Sequence, residues 1–329
     1  MLVSGRCFPC IYTVLLKPHV FIYTQKCLTS QLLEIGRLDT PKNTNYEPGQ
    51  MFVHKLFGYR GIVLFGWLTR IYDQGATDVC RVSSAADKPT QMFNHSYNYL
   101  ALMDTRDSPF ASVENEPTFF RSLRSMYGFK YFIPDLDLVF HEDMLPYTTT
   151  ETESFKHNLF EKFFVYDPSK QSSFKTTRAL DEWQKKYNPR LGLSNAYKAT
   201  TENIQVTTIP LYTGYRNTRR KNVHWWRVSV RIENLGESTV TLSSRHWQVF
   251  SMSSLSRTLR GRGVGGQVKI LSQLSPAFQY SSHVSLIAPR GCMWGTFTLK
   301  REDESSFECR IPLLLLQSKE SDKNIVAAP

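Results

Sequence analysis

Residues 223–250 read VHWWRVSVRIENLGESTVTLSSRHWQVF, GRGVGG stands at 261–266, and PAFQYSSHVSLIAPRGCMWGTF fills 276–297. In the first run Trp226, Val228, Val230 and Ile232 share one parity, and Trp225, Arg227, Ser229 and Arg231 share the other. A period of two marks a strand with one face in a core. Leu235-Gly236-Glu237-Ser238 is turn chemistry. Beyond it, Val240 and Leu242 lie on one parity and Trp247 and Val249 on the opposite one, so a β-bulge is expected across residues 243–246. Phe278, Tyr280, Val284 and Leu286 agree in parity, as do Met293, Phe297 and Leu299, with Pro289-Arg290-Gly291 turning between them. With residues 204–212 before and 307–316 after, the pattern predicts roughly six or seven short strands in an antiparallel β-sandwich.

Working outward, a chain of 329 residues suggests two domains. The expected order is a leader and linker over 1–50, a small β domain over 51–150, a helical connector over 151–200, the sandwich over 201–317 and a tail over 318–329. The net charge of +11 is unevenly placed: residues 201–329 carry 17 basic and 9 acidic side chains, net +8, whereas residues 51–150 are net −2. The basic field therefore belongs to the sandwich, where it would attract nucleic acid, an anionic membrane face or an acidic protein, or simply keep the surface soluble. Cysteines at 7, 10, 27, 80, 292 and 309 give no disulfide framework and fit a reducing compartment.

Before Glu34 the only charges are Arg6, Lys17 and Lys26, among hydroxyl and apolar residues. That composition predicts a mitochondrial transit peptide, cut between Ser30 and Gln50. The apolar run from Phe8 is broken at Lys17-Pro18, too short to span a membrane. Residues 51–55, 62–69, 97–103 and 127–133 read as strands separated by a tight turn at 57–61 and by long loops, which suggests a small barrel. In the connector, Ser154 is placed to cap a helix with Phe155, Leu159 and Phe163 on one stripe. A second helix is expected over 177–187, carrying Leu180, Trp183 and Tyr187 and stopped by Asn188-Pro189.

Glu233-Asn234, Ser244-Arg245-His246-Trp247, Gly261-Arg262-Gly263-Val264, Phe278-Gln279-Tyr280-Ser281-Ser282, Met293-Trp294-Gly295 and Ile311-Pro312 together resemble the ApaG domain. That family has an immunoglobulin/fibronectin-like sandwich. Gly49-Gln50, His54-Lys55 and Phe57-Gly58-Tyr59-Arg60-Gly61-Ile62-Val63 resemble the YccV domain, an SH3-like barrel labelled for hemimethylated DNA and similar to a bacterial protease adaptor. YccV followed by ApaG, with His141-Glu142-Asp143 and Leu145-Pro146-Tyr147 between, is similar to the polymerase delta-interacting protein 2 family. The resemblance implies a mainly β protein and a non-enzymatic adaptor. It implies protein partners: the small subunit of DNA polymerase delta, the sliding clamp and a ClpX-type unfoldase with its protease. It also implies a mitochondrial matrix location with a nuclear pool. Direct DNA binding, through the barrel or the basic sandwich surface, is the alternative. A monomer, no cofactor and no membrane are expected.

Gly261-Arg262-Gly263-Val264-Gly265-Gly266 fits GxGxxG, but no helical period and no acidic residue follow as a dinucleotide site requires. Its other reading is a loop whose amides meet an anion, at Gly261, Arg262, Gly263 and Gly266, with Arg257 and Arg260 adding charge. The family pattern has Val where Gly265 stands. A plain glycine connection between strands is the simpler alternative. Arg216, Arg219, Arg220 and Lys221 precede Trp225-Trp226, a basic-plus-aromatic group of the kind used on single-stranded nucleic acid, or a solvated loop. The histidines show no metal-ligand spacing, and His141-Glu142-Asp143 reads as a turn; no catalytic set is expected.

Overall fold

A computed structural model describes residues 11–16, 19–26, 29–41, 44–75, 93–114, 118–121, 130–151, 154–167, 174–191, 194–218, 221–251 and 254–318. The strands are, in chain order, β1 (Ile11–Leu16), β2 (His19–Lys26), β3 (Thr29–Leu38), β4 (Met51–His54), β5 (Arg60–Asp73), β6 (Phe93–Met103), β7 (Val113–Glu114), β8 (Thr118–Arg121), β9 (Lys130–Ile133), β10 (Leu136–Phe140) and β11 (Met144–Thr149). The one-turn helix α1 (Phe160–Phe163) precedes β12 (Phe164–Tyr166) and β13 (Phe174–Thr176), and α2 (Arg178–Leu191) follows. The remainder is β14 (Ser194–Thr201), β15 (Ile204–Thr218), β16 (Lys221–Asn234), β17 (Val240–Ser251), β18 (Ser254–Arg262), β19 (Lys269–Leu271), β20 (Ala277–Leu286), β21 (Arg290–Arg301) and β22 (Ser306–Gln317). The protein is mainly β, and among the described residues no helix is long and apolar enough to cross a membrane.

Two compact units emerge: Met1–Gly66, Asn98–Ala111 and Asp135–Gln184 form the first, and Trp67–Tyr97, Ser112–Pro134 and Lys185–Pro329 the second. In the first unit the pairing order is β1-β2-β3-β11-β4-β5-β6-β10, and no pairing among the described residues closes it into a ring. Phe52, Tyr59, Ile62, Leu64, Tyr99, Leu102 and Tyr147 are buried there. The expected linker is part of this packing. Tyr46 is buried, its backbone N–H donates to Tyr99 Oη at 3.1 Å, and its hydroxyl donates to the Met144 carbonyl at 3.2 Å. So is the end of the expected leader: β3 pairs β11, Ile35 is buried, and the Tyr147 hydroxyl donates to the Ile35 carbonyl at 2.7 Å. Residues 1–10, with the Cys7 to Cys10 pair, lie outside the described residues.

The connector differs from expectation in three ways. No helix starts at Ser154. Instead the Thr105 N–H donates to the Lys156 carbonyl and the Lys156 N–H to Asp104 Oδ2, which ties this stretch to residues 104–105 ahead of the single turn of α1. Phe155 and Phe163 are buried all the same. The second helix runs through Pro189 to Leu191, past the expected stop, although proline removes one ladder N–H there. Leu180 is buried, and the Trp183 ring meets Phe65 edge-on at 5.2 Å between centroids. Residues 194–201, expected as connector, are strand β14, antiparallel to β15 and parallel to residues 69–73 of β5.

The second unit is a sandwich. One sheet runs from residues 69–73 of β5 through β14, β15, β16 and β20 to β7; the other runs β18-β17-β21-β22, with β19 also on β17. One buried cluster joins them, with Val206, Trp226, Val228, Val230, Ile232, Phe278 and Tyr280 from the first sheet and Val240, Leu242, Trp247, Val249, Phe297, Leu299 and Ile311 from the second. The parity change in β17 is a bulge, seen as a register shift between Leu242 and Ser244 against β21. The opposite parity of β16, read as a solvent face, is buried too at Arg227, Ser229 and Arg231. Residues 112–114, expected in a barrel loop, pack in this unit: Val113 pairs Gln279, and the Gln279 N–H donates to the Ser112 carbonyl at 3.0 Å.

Candidate functional site

Residues 254–262, which are not among the strands expected from the sequence, form the edge strand β18 (SLSRTLRGR). Its register on β17 pairs Val249 with Arg257, Trp247 with Leu259, His246 with Arg260, Arg245 with Gly261 and Ser244 with Arg262. The strand was missed because an edge strand has little core to cover, and its few apolar residues give a faint alternation. Arg257, Arg260 and Arg262 are exposed, and no carboxylate among the described residues pairs with them. Arg257 is steadied by donating from Nη2 to the Ser285 carbonyl at 2.6 Å. A Cβ added at Gly261 would come within 3.2 Å of Arg245 Nε, so glycine leaves room for that neighbouring guanidinium.

The glycine turn is built differently from an anion cradle. Val264 and Gln267 exchange backbone bonds of 2.9 and 3.0 Å, with Gly265 (φ 60°) and Gly266 (φ 85°) between them, the signature of a two-residue type I′ turn. Gly263 (φ 47°) turns its N–H to the Ser243 carbonyl at 2.8 Å. The amides of 263, 264 and 267 are thus committed to the protein, and Gly261 and Arg262 belong to the strand end. Only the amides of Gly265 and Gly266 stand at the exposed tip. Gly263→Ala should cost about 1–3 kcal/mol, because the left-handed backbone is strained and the new Cβ would drive into the Gln267 carbonyl. Gly266→Ala, with open space around it, should cost less; thermal melts of both variants check the order.

The other basic group is less defined. Arg219 and Arg220 lie outside the described residues, and Lys221 is described by its backbone, opposite Thr218. Trp226 is a core residue whose Nε1 donates to the Gln317 carbonyl at 3.3 Å, while Trp225 is 39% exposed.

In the first unit, His141-Glu142-Asp143 is a single 3-10 turn, with the His141 ring tilted against Tyr46 at 4.9 Å between centroids and Nδ1 at 3.1 Å from the Tyr99 hydroxyl. A groove of about 560 Å³ is lined by Glu47, Pro48, Asp167, Phe174, Lys175, Thr176 and Gln184. The strongest polar constellation lies elsewhere and escaped sequence reading. Arg60 is fully buried and grips Asp107 with Nε at 2.7 Å and Nη2 at 2.8 Å, while Nη1 reaches Glu151 at 2.8 Å. Arg106 holds Asp104 at 2.6 and 2.9 Å and shares Glu151 at 3.1 Å. Burial alone would lower the Arg60 pKa, but the hydrogen bond and charge of Asp107 together with the charges of Asp104 and Glu151 outweigh it, so the net shift is upward and the guanidinium stays charged. Likewise burial would raise Asp104, but the Arg106 hydrogen bonds and the Arg60 charge pull it below the ordinary carboxylate range. Such matched, bidentate pairing is structural, binding three chain segments together. Cys309 is buried and its thiol is pushed up to about 12 by desolvation, which makes it a core side chain and not a nucleophile.

The ApaG domain family profile matches residues 215–301. Over 297 residues, 88% of this chain and 80% of the relative, the chain is 44% identical to Polymerase delta-interacting protein 2 of Homo sapiens, with the same figures for that of Mus musculus. It is also 33% identical over 129 residues, 39% of this chain, to 98% of the Protein ApaG of Rhodopseudomonas palustris. With that identity across most of both sequences, the chain belongs to the polymerase delta-interacting protein 2 family.

Proposed function

We propose that the chain is a non-enzymatic adaptor that docks other proteins. The observation carrying this reading is the 44% identity, along 88% of the chain, to relatives whose name states an interaction with polymerase delta. The partners proposed are the small subunit of DNA polymerase delta, the sliding clamp and a mitochondrial ClpX-type unfoldase. The location proposed is the mitochondrial matrix with a nuclear pool. Because β3 pairs β11 and buries Ile35, a transit-peptide cut between Lys26 and Thr29 would remove β1 and β2 but keep the strand packed on β11, and a cut after Leu38 would remove all three strands on that side of β11.

The unpaired arginines of β18 support docking of acidic surfaces, with electrostatics setting the encounter rate and specificity. Recombinant chain immobilised on beads should retain the purified polymerase delta small subunit in a salt-sensitive manner; no retention at low ionic strength would sink the adaptor reading for that partner. The same arginines favour the second reading, direct nucleic-acid binding. Duplex binding that falls steeply with salt, and whose slope flattens in Arg260→Ala with Arg262→Ala, would support it.

A further inference from the structure

Strand β18 pairs with β17 and, among the described residues, with no other strand. The register decides which of its backbone groups are spent. Gly263 donates to the Ser243 carbonyl, in step with the pairs Arg245–Gly261, Trp247–Leu259 and Val249–Arg257, so the odd-numbered residues of β18 bond to β17. The N–H and C=O groups of Thr258, Arg260 and Arg262 therefore face outward. Leu259 shares the parity of Trp247, which is buried in the core, yet Leu259 is 48% exposed: the apolar layer simply stops at this edge. On the opposite face Arg260 and Arg262 are exposed without carboxylate partners among the described residues.

We propose that β18 receives an extended segment of a partner protein as an added strand, one in which apolar residues alternate with Asp or Glu. The apolar residues continue the core layer over Leu259, the carboxylates meet Arg260 and Arg262, and the main chain bonds the outward amides and carbonyls. This rests on the adaptor reading and names its surface and the chemistry of its partner. Edge strands commonly carry charge that discourages pairing. Here that charge is of one sign, so an acidic strand is the kind the edge admits. Nucleic acid fits less well, because Leu259 offers no stacking plane.

The test uses the full chain and a fluorescent peptide alternating Leu or Val with Glu or Asp, beside a peptide of the same composition with the alternation scrambled. The alternating peptide should bind more tightly than the scrambled one and slow amide exchange at Thr258, Arg260 and Arg262. Arg260→Glu with Arg262→Glu should weaken it by about tenfold or more. Thr258→Pro should do the same, since it deletes one outward N–H and leaves the β17 ladder intact; its circular dichroism, matched to the parent, shows that the fold is kept. Equal binding of the two peptides, unchanged exchange at those amides, or full binding by folded Thr258→Pro would overturn the proposal. Protection of the same amides by an oligothymidylate and not by the peptide would reassign the edge to nucleic acid. Retention of the polymerase delta small subunit without peptide binding counts against this edge alone, whereas loss of both counts against the adaptor reading.

Discussion

Arg60→Ala should destabilise the first unit by about 3–5 kcal/mol, the range found when one member of a buried ion pair is removed. The guanidinium is fully buried and bidentate on Asp107, so its loss leaves Asp107 and Glu151 facing each other's charge with only Arg106 to offset them. A urea melt would show a lower midpoint at unchanged slope. Asp107→Asn should be milder, because the amide keeps one hydrogen-bond acceptor for the guanidinium. A midpoint for Arg60→Ala equal to the parent's would contradict the network as a clamp. The same network sets an acid limit. The folded-state pKa of Asp104 is depressed, so its stabilisation is present in full above the unfolded value of about 3.9 and is lost as pH falls from there through the folded value. Acid titration of Asp104→Asn should therefore show a shallower loss of stability below about pH 4.

Trp226→Ala should cost the sandwich about 3–5 kcal/mol, more than any single change at the exposed edge. Trp226 is 1% exposed, packs on Tyr212 at 5.3 Å between ring centroids, and sits in the cluster that joins both sheets. Its neighbour Trp225, 39% exposed, provides the control: Trp225→Ala should change the melting midpoint little. Equal losses from the two tryptophans would mean that the face assignment of β16 is wrong.

The sandwich was legible because its strands obey a strict period. Trp226 to Ile232, Phe278 to Leu286 and the parity break in β17 could each be placed by counting, and the core-facing side chains lie where counting put them. What resisted reading had physical reasons. Edge strand β18 buries one face poorly, so its alternation is faint. The buried arginines of β16 look like surface residues in a sequence, since nothing local tells that their face is buried. Arg60 and Asp107 are 47 positions apart, beyond any spacing rule. The single turn of α1 shows tertiary pairing overriding an apolar stripe, as Lys156 finds its bonds on residues 104 and 105 instead of in a helix. Of the candidate surface, the arginines were visible as a charge excess, whereas their place on an unpaired edge was not.

The strand β5 gives residues 60–66 to one unit and 67–73 to the other, and the latter pair with β14. Truncations drawn at the apparent junction near residue 150 or 200 therefore cut through folded layers. A fragment beginning at residue 201 lacks β14 and the piece of β5 beside it, exposing β15 as a raw edge. Failure of such a fragment to retain a partner would report a damaged scaffold, and interaction mapping on this chain is better done by surface substitutions than by deletion series.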